Sequence, residues 1–176
     1  LYISDKEQLK GLPENIITAA AEDAKAKGKD GQWLFTLQNA SVMPFLQYAQ
    51  NRKLREDIWK AYQSRGNNGD TRDNRINIIQ MANLRMERAQ LLGYKSHADY
   101  VLEERMAQTP DKVYNLLNEI WKPALAKAKQ EEADIQKLMI TDSVEGDVQP
   151  YDWRYYTEKI RQQRYSLDEQ ELKPYF

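Results

Sequence analysis

The sequence predicts an all-α protein of about seven or eight helices, with at most one short strand or hairpin near the N-terminus. Glycine (7) and proline (6) are scarce among the 176 residues, which favours long helices over a turn-rich β-fold. From Ser41 onward, apolar side chains recur every three or four residues, the spacing of one helix face. Residue types that begin and end helices separate these stretches.

Two helices are expected in the first thirty or so residues. Ser4-x-x-Glu7 resembles a capping box and predicts a short helix to about Leu9. Pro13 suits the first turn of a second helix, which we expect to continue to Ala26 before a glycine-containing turn. Together they predict a helical N-terminal region.

One strand is expected, at Trp33–Leu37, because this stretch is short and rich in aromatic and apolar residues. The segment Leu1–Ile3 is a candidate to pair with it. The prediction is therefore a minimal sheet attached to a helical protein.

The middle of the chain predicts four helices, each with a start or stop signal. They are expected from Ser41 to Ala49, from Arg52 to Ser64, from beyond the loop Gly66–Asp70 to Leu92, and from Ser96 to about Met106. Gly93 suits a left-handed C-cap for the third of them. In the second, the apolar stripe consists of Leu54, Ile58, Ala61 and Tyr62.

The longest helix is expected from Pro110 to about Met139, because Thr109 and Pro110 combine an N-cap residue with proline at the first helical position. Pro123 lies inside it and is expected to produce a kink. The apolar residues at helical spacing are Val113, Leu117, Ile120, Ala124, Ala128, Ile135 and Leu138. Two further helices, at Asp152–Tyr165 and Asp168–Leu172, complete the prediction.

Residues 1–176 are expected to form a single helical piece of a larger protein, with an exposed loop at 141–151. The chain starts at Leu1 without a methionine and stops directly after Pro174-Tyr175-Phe176, so we expect both ends to be internal to a longer sequence. No internal repeat of 20–50 residues is found, which argues against a helical solenoid.

Composition excludes several classes of protein. The net charge is −1, so there is no basic excess to attract nucleic acid or anionic membrane. The chain has no cysteine, which excludes disulfides and thiolate zinc sites within it. No apolar run approaches the roughly 20 residues that span a bilayer. Both a cytoplasmic and a periplasmic location are compatible with these features.

The sequence contains no complete catalytic or metal site. Its only histidine is His97, whereas zinc hydrolases usually take two histidines and a carboxylate. No Gly-x-Ser-x-Gly nucleophile elbow occurs. We therefore interpret His97 as a polar residue near a helix start, and we expect no catalytic residue and no metal ligand in this chain.

Two other groups of polar residues resemble sites without matching one. The pairs Glu103-Glu104 and Glu131-Glu132 are helix neighbours about 100° apart, so each is interpreted as solvated surface. The loop Asn67–Asn74 is rich in oxygen ligands, but its glycine comes too early for an EF-hand and no late glutamate follows in register. We interpret it as a turn with local caps.

The stretch Tyr151–Tyr156 alternates aromatic residues with Asp152 and Arg154. Aromatic and basic residues together are typical of single-strand nucleic-acid binding. With a balanced total charge, we favour an aromatic helix stripe packed in a core, with arginines at its rim.

A series of short stretches, in order along nearly the whole chain, matches one known family. The stretches are Gly11–Glu14, Trp33–Leu37, Asn51–Glu56, Arg65–Asn67, Asp73-Asn74, Leu84-Arg85, Ala89–Tyr94, Met106–Pro110, Val113, Asp152–Tyr156 and Leu172–Phe176. With them the chain resembles the thimet oligopeptidase family of zinc metallopeptidases, and more closely its peptidyl-dipeptidase (dipeptidyl carboxypeptidase) branch. One departure is Tyr151, where the family often has tryptophan.

The resemblance implies an almost wholly helical fold in which two lobes flank a deep channel with zinc on its floor. It implies zinc held by a His-Glu-x-x-His helix and a later glutamate, and release of C-terminal dipeptides from short peptide substrates. None of those residues occurs here, because the family's zinc motif lies beyond the segment that ends at Phe176. This chain would then supply channel wall and scaffold and pair with the remaining catalytic part, with Arg65–Asn68 and Tyr155 as candidates to line the channel.

Two other function classes remain as alternatives. One is a helical module that binds peptides or a partner protein without catalysis, which exposed apolar helix faces would indicate. The other is nucleic-acid binding, which the balanced charge disfavours.

Overall fold

The computed structural model describes residues 1–165, and these are largely helical. The predicted all-α class with one minimal sheet is confirmed. The predicted helix Asp168–Leu172 lies outside the described residues. In order, the described elements are β1 (Tyr2–Ile3), a 3₁₀ helix (Lys6–Leu9), α1 (Glu14–Ala26), β2 (Trp33–Leu34), α2 (Asn39–Tyr48), α3 (Arg52–Gln63), α4 (Arg75–Leu91), α5 (His97–Leu102), α6 (Pro110–Thr141) and α7 (Pro150–Tyr165).

The N-terminal pairing predicted from the sequence is present. β1 and β2 are antiparallel, with Tyr2 opposite Leu34 and Ile3 opposite Trp33. The N-terminal ammonium of Leu1 donates to the carbonyl of Phe35 at 2.9 Å, which extends the pairing by one contact. The strand is shorter than the predicted Trp33–Leu37, because the backbone N–H of Thr36 donates to the Ser41 hydroxyl instead of to a strand.

Two predicted helix caps were wrong in detail. Asp5, rather than Ser4, caps the first short helix, its carboxylate accepting from the backbone N–H of Glu7 at 2.9 Å. Gln38 occupies the N-cap position of α2, while the predicted cap residue Ser41 lies inside that helix. The Asp5 side chain competes with Ser4 for the same backbone group, whereas the Gln38 side chain makes no capping hydrogen bond.

Later helix boundaries follow the sequence signals closely. Asn51 caps α3 by accepting from the N–H of Leu54 at 3.1 Å, and Ser96 caps α5 by accepting from the N–H of Asp99 at 3.2 Å. Gly93 follows α4 with a φ of +85°, as a left-handed C-cap requires. α5 ends at Leu102 and is therefore shorter than predicted.

The chain divides into two compact units. The first combines residues 1–64 with the segment from Glu131 onward, and the second is residues 65–130. In residues 1–165, no helix combines the length and apolar character needed to cross a membrane.

The first unit contains two apolar clusters. The larger one joins the sheet, α1, α2 and α3, and its phenylalanines Phe35 and Phe45 meet edge-on with ring centroids 4.6 Å apart. The smaller one joins the end of α6 to α7 around Ile135, Met139 and Tyr156. This packing fixes α7 in the unit and thereby positions the polar groups described below.

The second unit buries very little. Of its apolar residues, Ala89 is the one that is fully buried in the described structure. α4 and α5 pack together, with Tyr94 edge-on to Tyr100 at 5.3 Å and the Arg88 guanidinium 5.0 Å above the Tyr100 ring. Large apolar side chains of α4 and α6 remain exposed.

Candidate functional site

The most strongly organised polar cluster joins α3 to α7. Arg52 and Arg55 are three residues apart on α3, so they project from the same side of the helix. The carboxylate of Asp152, in the first turn of α7, accepts from Arg52 Nη2 at 2.7 Å and from Arg55 Nη2 at 3.0 Å. Asp152 and Arg55 are both buried. The cluster is a charge network in which the buried Asp152 pairs with the buried Arg55 and the half-buried Arg52.

All three nitrogens of the Arg55 guanidinium donate hydrogen bonds within the first unit. Its Nη1 donates to the carbonyls of Ala49 and Gln50 at 2.7 and 3.1 Å, and its Nε donates to the carbonyl of Tyr151 at 3.2 Å. Its central carbon lies 4.1 Å from the centroid of the Tyr155 ring. A cation with all these contacts holds structure together and is not available to bind a substrate.

Asp152 is ionised in this environment. Burial alone would raise its pKa, but hydrogen bonds from Arg52, Arg55 and the backbone N–H of Gln149 outweigh that effect and hold the pKa of Asp152 below its usual value. A carboxylate that stays charged and paired acts as an anchor. It cannot serve as a general acid near neutral pH.

A second buried carboxylate, Glu158, links α2 to α7. Its oxygens accept from Gln47 Nε2 at 2.9 Å and from Arg161 Nη2 at 2.9 Å. Burial raises the pKa of Glu158, but the hydrogen bonds from Arg161 and Gln47 lower it by more than burial raises it. The net shift of the pKa is therefore downward. Glu158 is therefore a second structural anion on the same helix.

Tyr156 occupies the interior next to these groups. Burial, followed by the nearby Asp142 carboxylate, raises the pKa of Tyr156 to about 12. The Tyr155 ring meets the Tyr156 ring edge-on at 5.1 Å, and Lys159 Nζ lies 5.6 Å from both ring centroids. The aromatic residues of this helix thus serve as packing surface, as the sequence interpretation of Tyr151–Tyr156 proposed, although the closest arginines come from α3.

One groove of about 310 Å³ lies between the end of α6 and α7 within the first unit. Arg164 donates to Asp134 at 2.8 Å across it, so these two charges neutralise each other. The groove offers apolar and aromatic contact rather than acid–base chemistry. Its lining consists of Glu131, Asp134, Ile135, Trp153, Thr157, Ile160, Arg161, Arg164 and Tyr165.

His97 does not belong to a metal cluster. Its ring lies 6.4 Å from that of Tyr100, and its Nδ1 is buried without a hydrogen-bond partner. Across residues 1–165, no group of three or more histidine, cysteine, aspartate or glutamate side chains is placed to hold a metal ion. The described residues therefore do not fit the zinc centre that the family resemblance implies.

The other carboxylate candidates from the sequence lie on exposed surface. Glu103 and Glu104 are exposed on the second unit, where Glu103 accepts a hydrogen bond from Tyr94. Glu131 and Glu132 are exposed on α6. The structure brings none of these carboxylates into a pair that shares one proton or one water.

The oxygen-rich loop is organised by its own residues. Asp73 accepts from the backbone N–H of Gly69 at 2.7 Å and from Arg75 Nε at 3.0 Å. The Arg75 guanidinium, with those backbone donors, lowers the pKa of Asp73 to about 2. These contacts agree with the interpretation of the loop as a locally capped turn.

The candidates for channel lining differ in exposure. Arg65, Asn67 and Asn68 are exposed in the second unit, whereas Tyr155 is half-buried in the first and its ring is covered by Arg55. Exposure leaves the loop residues accessible to a substrate. Tyr155 mainly contributes packing.

Sequence reasoning missed the buried roles of Arg55 and Asp152. A signal was present, because Arg55 precedes Ile58 by three residues and therefore shares the apolar stripe of α3. A charged residue on such a stripe is almost never fully buried unless it is paired. The partner, 97 residues away, carries no local signal.

Comparison with known proteins extends these observations. The profile of peptidase family M3 matches residues 45–176. Dipeptidyl carboxypeptidase of Escherichia coli (strain K12) is 36% identical over 176 residues, which are 100% of this chain and 26% of that protein. Oligopeptidase A of Salmonella typhimurium is 35% identical over 178 residues, which are 99% of this chain and 26% of that protein.

A plant relative gives the same picture. The probable cytosolic oligopeptidase A of Arabidopsis thaliana is 35% identical over 182 residues, covering 99% of this chain and 26% of its own length. The chain spans about a quarter of the length of the curated relatives it matches. With three quarters of its residues matched by the family profile, the chain belongs to peptidase family M3.

Proposed function

We propose that this chain is part of a zinc-dependent peptidase that releases dipeptides from the C-terminal end of short peptides. Membership of peptidase family M3 carries the proposal, since the profile matches residues 45–176. Relatives named dipeptidyl carboxypeptidase, 36% and 34% identical over 176 residues, support the choice of reaction.

Within that protein, these residues form scaffold and wall rather than reactive machinery. The buried charges of Arg55 and Asp152 neutralise each other and fasten α7 to α3. Zinc, when bound, supplies an acidified water for hydrolysis. Because the described residues do not fit a zinc centre, we assign its ligands to another part of the longer protein.

The loop that contains Asn67 and Asn68 is our candidate for contact with the peptide substrate. Asn67 and Asn68 are exposed, and their side-chain amides can donate to and accept from a peptide backbone. We expect Asn67→Ala and Asn68→Ala in the full-length protein to raise KM with little change in kcat, as loss of uniform binding does. Tyr155→Phe is the matched control, because it removes only a hydroxyl from a ring that packs against Arg55.

Product analysis separates the two activities named among the relatives. The full-length protein is incubated with matched peptides that carry either a free or an amidated C-terminus, and the products are identified by mass spectrometry. We expect successive dipeptides from the free end, no cleavage of the amidated peptide, and loss of activity on chelation with recovery on adding zinc. Internal cleavage of both peptides would contradict dipeptide release and favour an endopeptidase activity.

A second candidate is a helical module that binds peptides or a partner protein without catalysis. It is favoured by exposed apolar residues on α4 and α6, such as Leu84 and Trp121, which are each 64% exposed. Calorimetric titration of the full-length protein with a peptide tests it. Affinity without turnover in the presence of zinc would support the module and contradict the peptidase.

A further inference from the structure

α4 carries apolar side chains around most of its circumference. Ile76 and Ile78 are 69% and 62% exposed, and two residues of separation place them about 200° apart on a helix. Leu84 and Met86, which are also exposed, are separated by the same angle about two turns later. The helix therefore has no single apolar stripe and no single polar face.

This distribution limits what can cover α4. An amphipathic helix needs one partner surface, whereas a helix with exposed apolar residues on opposite sides needs cover on both of them. A two-fold dimer supplies one self-complementary patch, and a bound peptide fills one groove. Neither would reach Leu84 and Met86 together.

α6 also carries exposed apolar residues on more than one side. Tyr114 and Leu116 are 64% and 57% exposed, and two residues of separation again place them about 200° apart on the helix. The need for more than one covering surface is therefore shared by α4 and this part of α6.

We propose that α4 is an interior helix, enclosed on more than one side by other segments of the same longer polypeptide. The inference rests on the proposed function only in that the chain is part of a longer peptidase. The matched relatives are about four times as long as this chain, which covers 26% of each. The rest of such a protein provides several elements at fixed positions, as covering two opposite sides requires.

Cysteine labelling of the full-length protein tests the enclosure. This chain contains no cysteine, so Leu84→Cys, Met86→Cys and the exposed control Glu22→Cys introduce unique sites here, which peptide mass spectrometry distinguishes from any others. We expect Leu84→Cys and Met86→Cys each to react with a maleimide about 100-fold or more slowly than Glu22→Cys, because labelling of a covered site requires local opening. The protection should not change on dilution.

Each other outcome overturns the proposal. Protection at one of the two positions alone means a single covering surface. Protection that is lost on dilution would mean that a second copy of the protein covers α4. Protection that requires an added protein would mean that a separate partner covers it. Labelling of both positions as fast as Glu22→Cys would mean that nothing covers it. Because labelling needs no turnover, it stays independent of whether the protein releases dipeptides.

Hydrogen exchange on the unsubstituted full-length protein guards against effects of the cysteine variants on folding. Enclosure predicts that the amides of Arg75–Leu91 exchange as slowly as those of Asn39–Tyr48, the helix whose residues Val42 and Phe45 are fully buried. Fast exchange throughout Arg75–Leu91 beside a protected Asn39–Tyr48 would overturn it.

Discussion

Arg55 and Asp152 form a buried ion pair, with Arg55 Nη2 3.0 Å from Asp152 Oδ1 and neither side chain more than 2% exposed. The two residues lie 97 positions apart in the sequence. Arg52 adds hydrogen bonds from Nε at 3.0 Å and Nη2 at 2.7 Å to the same carboxylate. This contact connects α3 to α7 within the first unit.

Removal of the anion should destabilise the protein strongly. Asp152→Ala leaves Arg55 buried without a counter-charge, and breaking such a pair costs about 3–5 kcal/mol. Urea denaturation monitored by circular dichroism measures the loss. Arg164→Ala is the control, because its pair with Asp134 is largely exposed and should change the unfolding free energy by about 1 kcal/mol or less. Equal effects of the two substitutions would contradict a special role for Asp152.

Acid should weaken the same contact. The arginines outweigh the effect of burial and lower the pKa of Asp152, so its contribution to stability is complete above the ordinary aspartate pKa of about 3.9. It is lost as the pH falls from there through the lower pKa of the folded protein. Asp152→Asn should flatten the fall in unfolding free energy over this acidic range. An unchanged pH profile would show that Asp152 is not the group responsible.

The raised pKa of Tyr156 predicts that the free energy of unfolding falls at alkaline pH. Burial and Asp142 raise its pKa to about 12, against about 10 for tyrosine in an unfolded chain. Its contribution is therefore complete below pH 10 and is lost as the pH rises toward 12. Tyr156→Phe should remove this part of the alkaline loss of stability. Ultraviolet titration should show one fewer late-ionising tyrosine in the variant.

A side chain at Gly11 should destabilise the protein more than one at Gly28. Its φ is +88°, and a Cβ there would lie 2.3 Å from the carbonyl oxygen of Tyr48. Gly28 is the matched control, since its φ is +72° with nothing within 4 Å. Gly28→Ala should cost about 1–2 kcal/mol of left-handed strain, and Gly11→Ala about 3 kcal/mol or more because the backbone must also move. Thermal unfolding of the two variants compares them, and similar losses would contradict the close approach.

Local signals predicted much of the fold. Asn51, Ser96 and Gly93 mark helix ends in the structure, because caps depend on residues within one helical turn. The pairing of Leu1–Ile3 with Trp33 was also predicted, from apolar and aromatic content. The Ser4 and Ser41 predictions were wrong because Asp5 and Gln38 stand within a few residues and occupy the cap positions instead.

Long-range features were not available from the sequence. The partner of Arg55 is set by how α3 and α7 pack, and no local pattern encodes that distance. The stripe predicted for α6 is buried at Ile135 but exposed at Leu117 and Ile120. Helical spacing identifies a face that needs a partner without identifying the partner.

Zinc analysis of the full-length protein and of its His97→Ala variant tests whether the metal centre lies outside this chain. We predict that both bind zinc in the same stoichiometric ratio and hydrolyse peptide at similar rates. The His97 ring lies beside that of Tyr100, and His97 belongs to no group of three or more possible metal ligands among the described residues. Loss of zinc from the variant would place the metal centre within this chain. Peptide hydrolysis by the unsubstituted protein that persists after complete removal of zinc would contradict a zinc peptidase altogether.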